Sequence, residues 1–161
     1  MKKLRRINKN QAGFNLIELM IVIAIIALLI GVGVPAWQAM VRSGNETTAA
    51  QTIQTIRTCQ SSYSGKHNGK FAPTFAELVR TGCIDSDKFK DEPPVINGYK
   101  FNLKVEEPTS SKPPFYSLSV EPQVATGIQA TGNRYFYFDS SLSNVKQTDE
   151  NRPATPQDPS M

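Results

Sequence analysis

The sequence predicts an α+β chain: a long N-terminal α-helix, membrane-spanning in its first half, packed through its second half on a small three- to four-stranded antiparallel sheet. Three observations carry that expectation. Phe14–Pro35 is a run of 22 residues in which Glu18 is the only charge. Ala49, Ile53, Ile56, Cys59 and Tyr63 recur at spacings of 4, 3, 3 and 4, one apolar stripe on a Thr/Gln/Ser-rich helix. Tyr99, Phe101, Leu103 and Val105 alternate with Lys100, Asn102, Lys104 and Glu106, the period of a half-buried strand.

The apolar run follows a basic leader, residues 1–13, and is long enough to span a bilayer, whose ~30 Å hydrocarbon core needs about 20 helical residues. Glu18 sits about one turn in. A carboxylate at the centre of such a helix costs roughly 2.5–3.5 kcal/mol, and less near its end, so the residue calls for a cationic partner in the membrane or in an assembly. The plainer reading is a charge tolerated near the interface. Gly31, Gly33 and Pro35 weaken the outer end of the span, since proline costs ~3 kcal/mol and glycine ~1 kcal/mol inside a helix. That end could kink or melt, and Gly44 is a second soft spot. A helix from Phe14 to Ser64 would reach ~77 Å, far too much apolar length for a lone soluble domain, but sensible for rods that bundle.

Gly65 and Gly69 end the helix. Thr74-Phe-Ala-Glu77 reads as a capping box that opens a short helix Phe75–Thr81, stopped by Gly82. Asp85–Glu92 reads as a charged loop. Tyr99–Glu106 is then the first strand, Phe115–Val120 the second and Arg134–Asp139 the third, joined by loops rich in Pro, Ser, Thr and Gly. Lys146–Met161 holds three prolines and few apolar residues, the composition of a disordered polar tail.

The segment Gly13-Phe14-Asn15-Leu16-Ile17-Glu18-Leu19, with its Ile/Val/Ala/Leu continuation, resembles the N-terminal signal of type IV pilins and type II secretion pseudopilins. The close match covers residues 13–35, about one seventh of the chain. The resemblance implies cleavage between Gly13 and Phe14 by a prepilin peptidase, N-methylation of Phe14 and an assembly role for Glu18. It implies as well a lollipop-shaped fold and a homo-polymer built through the N-terminal helix with the help of an inner-membrane pilus or secretion machine. Asn15 stands where threonine is commoner. An ordinary secretory signal, cut near Val34-Pro35-Ala36, competes with this reading, but its apolar region would be shorter and would not hold a glutamate. An uncut signal anchor is the third reading. In every case the basic leader stays cytoplasmic and the chain beyond Pro35 is exported; the pilin-type reading leaves an inner-membrane, single-pass subunit in contact with membrane lipid.

Charge narrows the partners. The chain holds 18 Lys and Arg against 14 Asp and Glu, a net +4. Lys2, Lys3, Arg5, Arg6 and Lys9 belong to the leader, so 13 against 14 would remain after cleavage. The basic balance therefore resides in the leader, and no basic stripe with interleaved aromatics points to nucleic acid. Neither a phosphate-binding glycine loop nor a nucleophile elbow is present, and His67 is the only histidine, so the sequence implies no enzyme, no cofactor and no metal centre. Asp85, Asp87, Asp91 and Glu92 do not follow a calcium-loop order and read as a solvated acidic loop.

Cys59 and Cys83 both lie on the oxidising side, where a lone pair tends to join; two separate buried thiols are the alternative. A disulfide would close a loop of about 25 residues and stabilise the domain by roughly 3–4 kcal/mol. Many pilins carry theirs nearer the C-terminus, so this placement would be a departure. The expected organisation is a cleaved leader (1–13), a transmembrane and polymerisation helix (14–35), a globular domain that includes the outer half of the helix (36–145) and a disordered tail (146–161). The expected function is a structural subunit of a type IV pilus or pseudopilus, stored in the inner membrane and assembled into a cell-surface or periplasmic filament. The other reading is a signal-anchored periplasmic binding domain that acts as a monomer.

Overall fold

The computed structural model describes residues 13–161, so the leader, up to residue 12, lies outside the described residues. The chain forms two units, Met1–Trp37 and Gln38–Met161, and helix α1 (Leu16–Lys66) begins in the first and ends in the second. In the first unit the helix carries no buried residue: Leu16, Leu28 and Val32 are all about 70% or more exposed. By length and composition this stretch can cross a membrane.

The second unit builds its core from the expected helical stripe. Ala49, Ile53, Ile56 and Cys59 are buried on α1, and Tyr63 packs against the same cluster. Across from them lies a five-stranded antiparallel sheet in the order β1-β2-β3-β4-β5: β1 (Val95–Ile96), β2 (Tyr99–Glu106), β3 (Phe115–Pro122), β4 (Tyr135–Asp139) and β5 (Lys146–Thr148). Register stacks the apolar face in rows. Phe101 pairs with Val120 and Val120 with Phe136; Leu103 pairs with Leu118 and Leu118 with Phe138. Side chains in such opposed positions touch, which makes these rows the ladder of the core.

Two strands were not expected. β1 arises because Asn97 and Gly98 both adopt positive φ, 48° and 73°, the backbone of a two-residue hairpin turn. Gly98 is required twice over, since a Cβ there would lie 2.6 Å from Cβ of Thr131. The second correction is the tail. Lys146–Thr148 pairs with β4, so the polar segment 146–161 is structured and the globular unit runs to Met161 instead of stopping at 145. Several of its polar side chains satisfy one another locally, although Gln147 Oε1 is buried without a partner. Arg152 donates from Nη1 and Nη2 to the two carboxylate oxygens of Asp158, at 2.9 and 2.6 Å, and the Thr155 amide adds a third bond at 2.7 Å. The backbone then returns along the sheet edge: Gln147 N donates to Pro159 O at 2.9 Å and Met161 N to Val145 O at 3.0 Å. Composition hides such a strap, because main-chain bonds hold it and few apolar side chains take part.

Helix α2 (Phe75–Arg80) starts at Thr74, whose hydroxyl accepts from Glu77 N at 3.4 Å, and stops before Gly82 at φ +71°. Only half of the expected capping box forms, because the Glu77 carboxylate takes Arg80 instead, at 2.8 Å. The loop 85–92 is charged as expected, yet Phe89 is buried against Phe75, with ring centroids 5.2 Å apart.

Candidate functional site

The candidate processing and assembly residues gather at the start of α1. Gly13, Phe14 and Asn15 precede the helix, Phe14 is 92% exposed and a Cβ on Gly13 would meet nothing within 4 Å. Asn15 is the N-cap. Its carbonyl accepts from Glu18 N at 3.0 Å, and its side-chain Oδ1 accepts from Ile17 N at 3.3 Å. Glu18 closes the loop: its Oε2 accepts from Asn15 N at 3.1 Å. The pair is thus a reciprocal capping box, which satisfies two of the free amides at the helix start. A carboxylate there also complements the positive end of the helix dipole. Sequence reasoning missed the role of Asn15, although Asn-x-x-Glu carries the spacing that would have found it. The bond between Phe14 and its predecessor consequently lies in non-helical backbone, open to solvent.

Gly31, Gly33 and Pro35 do not join this cluster. They lie farther along α1, which stays helical through all three, and a Cβ at either glycine would meet open space. Gly44 likewise leaves the helix intact.

Cys59 and Cys83 are bonded, with Cα atoms 5.7 Å apart, and fasten the segment after α2 to α1. Beside them, Gln60 is fully buried and accounts for both its polar ends: Nε2 donates to Ala72 O at 3.0 Å and Oε1 accepts from Ala72 N at 2.8 Å. This clamp was not legible as such, because a glutamine inside a polar helix gives no sign that it points inward. His67 stacks on Tyr63 at 3.8 Å and remains exposed.

The electrostatics do not build a reactive centre in the second unit. Burial pushes the Tyr116 hydroxyl up to about 12 and Tyr99 higher still, while Arg152 holds Asp158 well below the usual carboxylate range. Each of these shifts carries a pKa further from 7, the reverse of what acid–base catalysis at pH 7 needs. Among the described residues no group of three or more His, Cys, Asp or Glu could hold a metal ion.

The model of the prokaryotic N-terminal methylation motif matches residues 8–34, which include Gly13, Phe14 and Glu18. Over 59 residues the chain is 44% identical to "Prepilin peptidase-dependent protein D" of Escherichia coli (strain K12). That alignment takes in 37% of this chain, which spans 40% of the length of that relative. No solved structure matches the chain.

Proposed function

We propose that this chain, by its N-terminal motif a member of the type IV pilin and pseudopilin family, is a filament subunit that polymerises through the first half of α1. Members of that family are structural subunits, not enzymes, and the motif implies processing by a prepilin peptidase. The observation that carries the proposal is the coincidence of the motif with an apolar stretch of helix, residues 16–37, that buries nothing within its own chain. Such a surface is costly in water, so it must be covered by lipid or by other helices.

In this reading the subunit waits in the inner membrane with its leader in the cytoplasm. The peptidase cuts the exposed, non-helical bond between Gly13 and Phe14, and the new Phe14 amine is methylated. Cleavage places a positive terminus next to Asn15, and hence near the Glu18 carboxylate that caps the helix. In the fibre Glu18 neutralises the Phe14 amine of a neighbour and sets axial register, a pairing that serves specificity more than net stability. Gly31, Gly33 and Pro35 let the helix loosen locally when a subunit leaves the bilayer.

Mass spectrometry of the native protein tests this. The expected terminus is N-methyl-phenylalanine at Phe14; a terminus at Trp37, or intact Met1, overturns the reading. Replacing Glu18 with Leu should leave insertion intact and abolish or sharply reduce filaments. Normal filaments from that variant would remove the register role.

A further inference from the structure

Within the second unit, the outer end of α1 and the sheet enclose a cleft of about 280 Å³. Arg57, Ser61 and Ser64 line it from the helix, at spacings of four and three that put them on one face. Tyr116 of β3, Phe138 of β4 and Ser140 just beyond β4 line it from the sheet. Arg57 lies over the Phe138 ring, its guanidinium carbon 5.0 Å from the centroid, and its Nη1 donates to Ser143 O at 3.0 Å. Stacking on a ring and bonding one carbonyl leave other in-plane N–H groups of the guanidinium fork free to donate. Among the described residues Arg57 forms no ion pair, whereas Arg80, Arg134 and Arg152 each take a carboxylate.

The hydroxyls around this cation are donors in waiting. Thr47, Thr48, Thr52, Thr55 and Thr58 of α1 return their hydroxyls to the carbonyl four residues back. Those of Ser61 and Ser64 make no such bond among the described residues. Tyr116 is 3% exposed, yet its hydroxyl has no hydrogen-bond partner among the described residues and lies in the field of Arg57. Ser140 Oγ accepts from Tyr116 N at 3.4 Å, which leaves its own proton to donate. No acidic side chain among the described residues lines the cleft. Asp139, beside Ser140, is buried, and its Oδ1 accepts from Ser141 N at 2.8 Å and from Ser141 Oγ at 2.6 Å. A held guanidinium, convergent hydroxyls and no competing carboxylate match the needs of an oxyanion. We propose that this cleft binds a small oxyanionic ligand, a carboxylate or a phosphate. Arg57 supplies the charge that holds it, and Ser61, Ser64, Tyr116 and Ser140 supply the donors that orient it. The volume falls at the small end of ligand sites, which begin at roughly 300 Å³, so a single sugar acid or sugar phosphate fits and a longer chain does not. The inference is independent of filament assembly, because every residue it uses lies in the second unit.

The test is NMR of the isotope-labelled, full-length chain in detergent micelles at constant ionic strength. Sodium glucuronate and inorganic phosphate are titrated separately, with glucose as the uncharged probe. Saturable shifts of the Ser61, Ser64 and Ser140 amides and of Arg57 Nε are expected with at least one of the two anions and not with glucose. Arg57→Gln should weaken that binding by about tenfold or more and Tyr116→Phe by about threefold, as the loss of a charge-assisted and of a neutral hydrogen bond would. Arg80→Gln, which removes an exposed arginine outside the cleft, should leave it unchanged. Saturation by glucuronate alone assigns a carboxylate ligand, by phosphate alone a phosphate, and by both an oxyanion site that does not select between them. No saturable shift with either anion overturns the proposal, as do equal shifts from glucose or an affinity that Arg57→Gln leaves intact. Should Arg57→Gln fail to fold, Tyr116→Phe, which keeps the ring, decides: an unchanged affinity there overturns the proposal as well.

Discussion

The two units of this chain use the same apolar residue types to opposite ends. In Met1–Trp37 the described helical side chains lie outside any core, whereas in Gln38–Met161 Ile53, Ile56, Phe101 and Phe136 are at most 1% exposed. The first unit owes its order to helical hydrogen bonds and an N-cap, and leaves its hydrophobic surface uncovered within the chain. The second covers its own stripe with a sheet. An identical substitution should therefore be silent in one and severe in the other when stability is measured on the isolated chain.

The largest contrast is in packing. Truncating Phe136 to Ala should cost about 3–5 kcal/mol, the range for a large aromatic removed from a close-packed core. Ile26→Ala, at a residue 48% exposed, should leave the same denaturant midpoint in place, and a comparable loss there would contradict the division. Next comes the disulfide. Replacing Cys59 and Cys83 together with Ala should lower unfolding stability by roughly 3 kcal/mol on the chain-entropy account, read as a drop in midpoint between oxidised wild type and the double variant.

A smaller effect belongs to the first unit. Asn15→Ala removes the side-chain half of the cap and should destabilise the first helical turn by about 1 kcal/mol. Faster amide exchange at Ile17, with no change in the second unit, is the expected signature. The smallest effect is acid sensitivity of the C-terminal strap. Hydrogen bonds from Arg152, then from the Thr155 amide, lower the folded-state pKa of Asp158. Its stabilising contribution is thus complete above the unfolded value, near 3.9, and is lost as pH falls through the depressed folded value. Exchange of the Gln147 and Met161 amides should speed up in that acid window while the amides of β2 and β3 remain protected.

Much of this division is visible in the sequence, because periodicity reports side chains that share a face. The 3.6-residue stripe from Ala49 to Cys59 and the alternation from Tyr99 to Val105 both identify core residues, and the three longer strands follow. What escaped notice rests on main-chain geometry. Asn97-Gly98 is a hairpin signal too short to be accompanied by a long apolar run, so β1 went unassigned. The strap beyond Val145 pairs through the Pro159 carbonyl and the Met161 amide, to which composition is blind. At the candidate site the residue types were legible, yet the partner of the Glu18 carboxylate in this chain is the Asn15 amide, an interaction carried by spacing and not by charge.

The order of the sheet has a consequence for how the subunit is made. Every strand pairs with its immediate neighbour in sequence, β1 with β2 through to β4 with β5. A meander of this kind keeps loop closures short and favours rapid folding. As the chain is synthesised from α1 onward, each strand to emerge meets one that has just arrived. The exception is α1 itself, whose Ile53 and Ile56 share a core with Phe136 and Phe138, more than 75 residues later. Until β4 emerges that stripe is only partly covered, so the period between the emergence of β3 and of β4 is when a nascent chain is most exposed to chaperones, proteases and premature association.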